Sequence, residues 1–105
     1  MPQFDLYRNA NPATRGRIPY LLDVQSDLLE PLVTRVVVPL GKPELLRGRM
    51  ADRLNPVFEI EGRSVLMLTP ELAGVPAKML GQRMDSLAQH RDIIIAALDM
   101  VFTGI

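Results

Sequence analysis

Residues 57–69 read VFEIEGRSVLMLT, the pattern of a β-hairpin. Val57, Phe58 and Ile60 lead into Glu61 and Gly62, beyond which Val65, Met67 and Thr69 alternate with Leu66 and Leu68. Successive side chains of a strand point to opposite faces, and a tight turn containing glycine joins two such runs as antiparallel neighbours. The centre of the chain is therefore expected to be antiparallel β.

Upstream, TRVVVPL (34–40) and IPYLLDVQ (18–25) are apolar runs rich in strand formers. SDLLEPLV (26–33) between them carries turn formers at Ser26, Asp27 and Pro31. FDLYR (4–8) sets Phe4 and Leu6 on one face and Asp5 and Tyr7 on the other, as in a short half-buried strand, and NANPATRGR (9–17) is loop chemistry. Downstream, GVPAKML (74–80) offers one more short strand.

From about residue 84 there is no further proline and the apolar spacing becomes helical. Met84, Leu87, Ala88, Ile94, Ile95, Leu98, Val101 and Phe102 fall on one face roughly 140° wide, expected to pack on the sheet. Asp85, Gln89, Asp92 and Asp99 form a solvated stripe. His90, Ile93, Ala97 and Met100 form a second, mostly apolar stripe away from that face, facing a neighbouring strand, a second subunit or a target. Arg91 falls within the main apolar face, where it would bend to the edge or pair with Asp23 or Glu71. The fold class is α+β, mainly β: a small antiparallel sheet or barrel of five or more strands closed by one long C-terminal helix.

A chain of 105 residues suits a single domain, 1–105, with a core large enough to need no staple. Twelve basic residues balance twelve acidic ones, which argues against a general nucleic-acid binder and leaves electrostatic partners, if any, local. With no cysteine and one histidine, thiolate chemistry and the usual zinc sites drop out, and neither metal nor cofactor is expected. The start MPQFDLYRNA lacks a charged segment followed by an apolar one, and no run reaches the ~18 residues of a membrane span, so a cytoplasmic protein is expected.

Enzyme motifs are absent: no phosphate-cradling glycine loop, no nucleophile elbow, no spaced histidine pair, and so no catalytic residue to name. His90 reads as an ordinary surface or interface residue. Arg15 and Arg17, with Arg47, Arg49 and Arg53, suit either a patch for phosphate or acidic peptide, or a solvated loop surface. The last residues, DMVFTGI, are unusually apolar for a terminus. An interaction module is favoured over an enzyme, although a ribonuclease site assembled by folding stays open.

Specific stretches then become recognisable. LLDVQSDLLE (21–30), TRVVVPL (34–40), LTPELAGVPAKML (68–80) and FTGI (102–105) resemble, in order and spacing, the CcdB family of toxins from bacterial toxin-antitoxin modules. The resemblance implies a CcdB/MazF-type fold of the SH3-like barrel kind, with a five-stranded antiparallel sheet, a smaller sheet and a C-terminal helix, assembled as a homodimer. It implies a protein that binds the A subunit of DNA gyrase and traps the gyrase-DNA cleavage complex, without being an enzyme. The implied gyrase contacts are Leu28, Leu29, Asp99, Phe102, Thr103, Gly104 and Ile105. Thr103 and Asp99 depart from the family's tryptophan and asparagine.

The resemblance also implies a cognate antitoxin with a disordered, acidic C-terminal segment. Arg15, Arg17, Arg47 and Arg49 suit that segment by charge. Toxin and antitoxin together would repress their operon, with DNA contacted through the antitoxin. Ile93, Ala97 and Met100 are the candidates for the dimer interface. The competing reading is a MazF-like endoribonuclease, but the glycine and acidic residue before the first strand and the arginine-proline pair of that group are missing from QFDLYRN and RIPYLL.

Overall fold

A computed structural model describes residues 1–48 and 51–104. Seven strands precede one helix: β1 (Asp5–Asn9), β2 (Tyr20–Asp23), β3 (Thr34–Gly41), β4 (Val57–Ile60), β5 (Arg63–Met67), β6 (Ala73–Pro76), β7 (Leu80–Ser86) and α1 (Arg91–Thr103). Every pairing is antiparallel, in the order β4-β5-β3-β2-β1-β7. The long β3 shares one edge between two partners: its first half pairs with β6 and its end with β5. The sheet curls, and α1 closes one side with Ile94 and Ala97 in the core beside Leu6, Tyr20, Leu22, Val38, Leu40 and Met67.

The hairpin stands as read. Glu59 faces Ser64 and Ile60 faces Arg63, and the two turn residues have φ of 53° at Glu61 and 77° at Gly62. Positive φ at both central positions is what a twisted two-residue hairpin turn requires.

Three expectations are corrected. The helix begins at Arg91, not near residue 84: residues 80–86 form β7, so Met84 lies on a strand. Asp5 and Tyr7 are buried, because β7 covers β1 on its second side and Arg83 from β7 binds Asp5. Ala97 is fully buried rather than part of an outward stripe, while Phe102, assigned to the core face, is 68% exposed. Arg91 is exposed and Asp23 is paired elsewhere.

Candidate functional site

DVQSD (23–27) is a scaffold for Leu28 and Leu29. Asp23 and Arg35 are both buried, and Arg35 Nε donates to Asp23 Oδ2 at 2.7 Å. The other Asp23 oxygen accepts the Gln25 N–H at 3.0 Å. Gln25 in turn accepts the Val36 N–H at 2.9 Å and donates to the Leu29 carbonyl at 3.0 Å. Ser26 Oγ accepts the Leu28 N–H, capping a 3-10 turn over Asp27–Leu29, and Asp27 accepts the Gln3 N–H at 2.7 Å. The hydrogen bond that Arg35 donates to Asp23 raises the Arg35 pKa further, which keeps the guanidinium charged. Asp23, Val24 and Gln25 of the string are buried, the exposed Ser26 and Asp27 are tied to backbone N–H groups, and the leucines that follow stand in water. Leu28 is 90% exposed and Val33 82%, with Leu29 and Leu32 between them also open. Contiguous apolar side chains left in water mark a surface that meets something else.

The end of α1 offers the second apolar surface. Gly104 has φ of 74° and its N–H reaches the Met100 carbonyl at 3.1 Å, closing the helix in the left-handed cap that glycine favours. Thr103 Oγ1 bonds back to the Asp99 carbonyl at 2.7 Å, so its hydroxyl is spent on the helix itself. Phe102 therefore supplies the aromatic ring of this tip, and Asp99 is exposed a turn earlier. Ile105 lies outside the described residues. Among the described residues no hydrogen bond or ion pair joins residues 28–33 to residues 99–104, so each surface is held by its own scaffold.

Of the dimer candidates, Ile93 is exposed and Met100 half-buried, and Ala97 is removed by its burial. Ile93 and the exposed Val57 share a shallow hollow of about 400 Å³ with Pro56 and Ala96. His90 packs its ring on Phe58 at 5.3 Å, which accounts for it structurally. No group of metal-ligating side chains occurs among the described residues.

A third region went unread in the sequence. Arg8, Arg15, Lys42 and Arg63 line one cavity of about 530 Å³, with Asn9, Gly16, Pro19, Gly81 and Gln82. It continues past Pro19, Lys42 and Arg63 into a neighbouring hollow of about 430 Å³. Arg8 donates to Glu61 at 3.0 Å. Tyr20 donates to the same carboxylate, while Arg63 donates to the Tyr20 oxygen at 3.3 Å and lies over its ring. The Tyr20 hydrogen bond and then Arg8 hold the Glu61 pKa below its usual value, whereas burial and the Glu61 bond raise that of Tyr20. At Gly81 any Cβ would stand 2.6 Å from the Arg8 carbonyl, so the close approach of β7 to β1 requires glycine.

With net charge balanced, any electrostatic partner is expected to be local, and this cavity gathers cations on one such local surface. Of the arginines singled out by charge, Arg15 lines the cavity and the Arg17 carbonyl accepts the Lys42 N–H beside it. Arg47 caps the 3-10 turn after Lys42, outside the lining, and Arg49 lies outside the described residues. Arg8 and Arg63 were missed because only strand register brings positions so far apart in sequence together.

No helix among the described residues is long and apolar enough to cross a membrane. A solved structure described as an endoribonuclease in complex with its cognate antitoxin from a mycobacterial species superposes with a TM-score of 0.71, covering 97% of this chain and 94% of that one. At 14% identity that likeness shows the fold alone. The sequence pattern of the CcdB protein matches residues 3–104, from just ahead of β1 to the helix cap, and the chain belongs to the CcdB family of toxin-antitoxin toxins.

Proposed function

We propose that this toxin poisons DNA gyrase by binding its A subunit as a single-domain homodimer in the cytoplasm, without catalysing a reaction of its own, and that a cognate antitoxin with an acidic disordered segment removes it. The observation that carries the reading is the exposed apolar set Leu28, Leu29 and Phe102, held out by a buried polar network and a helix cap. Apolar side chains fixed in water are the anchors from which a protein interface gains affinity. Leu28, Leu29, Asp99, Phe102, Thr103 and Gly104, with Ile105, are the proposed target contacts. Arg15, Arg17 and Arg47 are offered to the acidic segment by charge, and Ile93 with Met100 to the second copy.

The departures at Thr103 and Asp99 weaken the target surface without removing it. Phe102 supplies aromatic area beside Thr103, and Asp99 adds a charge where an amide would be neutral. The test incubates the purified protein with gyrase, ATP and supercoiled plasmid, and in parallel with messenger RNA alone. Gyrase-dependent linear DNA with intact RNA is expected. Cut RNA with unbroken DNA would instead support a ribonuclease, the reading that the solved endoribonuclease of the same fold keeps in view.

A further inference from the structure

The family resemblance routes nucleic-acid contact through the antitoxin, and leaves the cationic groove between β1, β5 and β7 without a task. We propose that this groove binds the phosphodiester backbone of single-stranded nucleic acid directly. Arg8, Arg15, Lys42 and Arg63 are all exposed and converge on one concave surface from β1, the 9–17 loop, the residue after β3 and β5. Two of them are preorganised: Arg8 by its bond to Glu61, and Arg63 by its bond to Tyr20 and its place over that ring. Among the described residues Arg15 and Lys42 are committed to no ion pair or hydrogen bond through their side chains, which leaves their charges for a ligand. Planar guanidinium forks with a mobile ammonium beside them suit repeated phosphates.

An acidic peptide is the other polyanion such a groove attracts, and three features favour phosphodiester over it. Peptide recognition draws affinity from apolar anchors, and none of the exposed large apolar side chains of the described residues, from Leu28 and Val33 to Val57 and Phe102, lines either hollow. The opposite holds for nucleic-acid backbones, where charge supplies the affinity. Peptides added to a sheet need a free edge; β1, which supplies Arg8 and Asn9, is paired on both sides by β2 and β7, and of the edge strand β7 only Gly81 and Gln82 reach the groove. Ala10, Gly16, Pro19 and Gly81 give a low lining that admits a chain close to the cations. Tyr20, the aromatic residue beneath the groove, is fully buried, so bases have nothing there to stack on and the backbone is read without sequence preference.

Fluorescence anisotropy with a labelled 12-nucleotide RNA of mixed sequence tests this, beside the same sequence as DNA and a labelled polyglutamate of equal charge. Both nucleic acids are expected to bind saturably, and any preference between them identifies the source of the backbone. Arg15→Ala with Lys42→Ala should weaken binding at least tenfold and lower the slope of log affinity against log salt by about 1.4, two phosphate contacts at about 0.7 each. Lys78→Ala, a cation outside the groove, should change neither. Each single variant, and its thermal midpoint, separates lost contact from lost fold. The inference is overturned if no nucleic acid binds, if Lys78→Ala weakens binding as much as the groove variants, or if polyglutamate binds as tightly as RNA. In that last outcome Arg15 belongs to the antitoxin reading, and the gyrase assay is untouched by any of them.

Discussion

At the scale of single residues, the pair Asp23 and Arg35 decides whether the loop after β2 has a fixed shape. Both side chains are buried, and Arg35 Nη1 is the buried polar side-chain atom left without a partner among the described residues. Its desolvation is offset by Asp23 and by the Met1 carbonyl, which accepts from Nη2 at 2.8 Å. Removing one member of a buried pair leaves the other uncompensated, a loss of about 3–5 kcal/mol, whereas replacing both by apolar residues is often near neutral. Arg35→Met alone is expected to lower the urea midpoint severely, and Asp23→Leu with Arg35→Met to recover much of it. The double variant should still lose target binding, because Asp23 no longer fixes Gln25. Glu61 gives a pH effect of the opposite kind, at the surface. Its folded pKa is lowered from 4.5 by Tyr20 and Arg8. A depressed carboxylate contributes stability that is full above its unfolded value and is lost as pH falls through the folded one. Glu61→Gln should therefore lower the thermal midpoint at neutral pH, where the contribution is full, and flatten its decline below about pH 4.5 so that the two curves converge in acid, read by melts across an acid series.

At the scale of elements, legibility followed the regularity of the pairing. The β4–β5 hairpin was readable because both strands keep period two and the turn carries Gly62. β7 was hidden because its pairing with β1 shifts register between Leu6 and Tyr7 and again between Tyr7 and Asn9. A strand with two irregularities loses its alternation, and the apolar spacing of Met84 and Leu87 then imitates a helix. The misplaced start carried the error along α1, sending Phe102 inward and Ala97 outward. The pair Asp23 and Arg35 was equally unreadable, since they approach only once Asp23 stands opposite Val37 in the β2–β3 register. The exposed Leu28 and Leu29, proposed as target contacts, follow by contrast a local string whose own hydrogen bonds fix its shape. The end of α1 gives a prediction of its own scale. Thr103 is exposed and its hydroxyl serves only the helix, so Thr103→Trp loses one exposed hydrogen bond and adds an aromatic anchor. The concentration for half-maximal gyrase-dependent linearisation should fall about tenfold or more, the scale of one aromatic hot spot, with the thermal midpoint nearly unchanged.

At the scale of the molecule, the curled sheet sorts its surfaces by chemistry. Apolar side chains gather after β2 and at the end of α1, a mainly apolar hollow rimmed by Asp52 and Arg53 joins β4 to the flank of α1, and cations collect where β1, β5 and β7 meet the loops. A molecule with separate surfaces should be separable by mutation. Ile93 and Val57 border the hollow proposed for the second copy, and neither contributes to the fully buried core. Ile93→Asp places a charge in that apolar contact, where like charges related by a two-fold axis would face each other. Sedimentation of this variant should show a monomer at concentrations where the parent is a dimer, with a native thermal profile once dilution is accounted for. Leu28→Asp with Phe102→Asp should leave the dimer intact and abolish gyrase-dependent DNA breakage. If the proposed homodimer presents both its tips to the target, a paired-tip mechanism, the monomeric variant should lose breakage as well, because a single tip forfeits the gain of the second contact. Retained breakage by a proven monomer would sink the paired-tip mechanism and assign target binding to one copy alone.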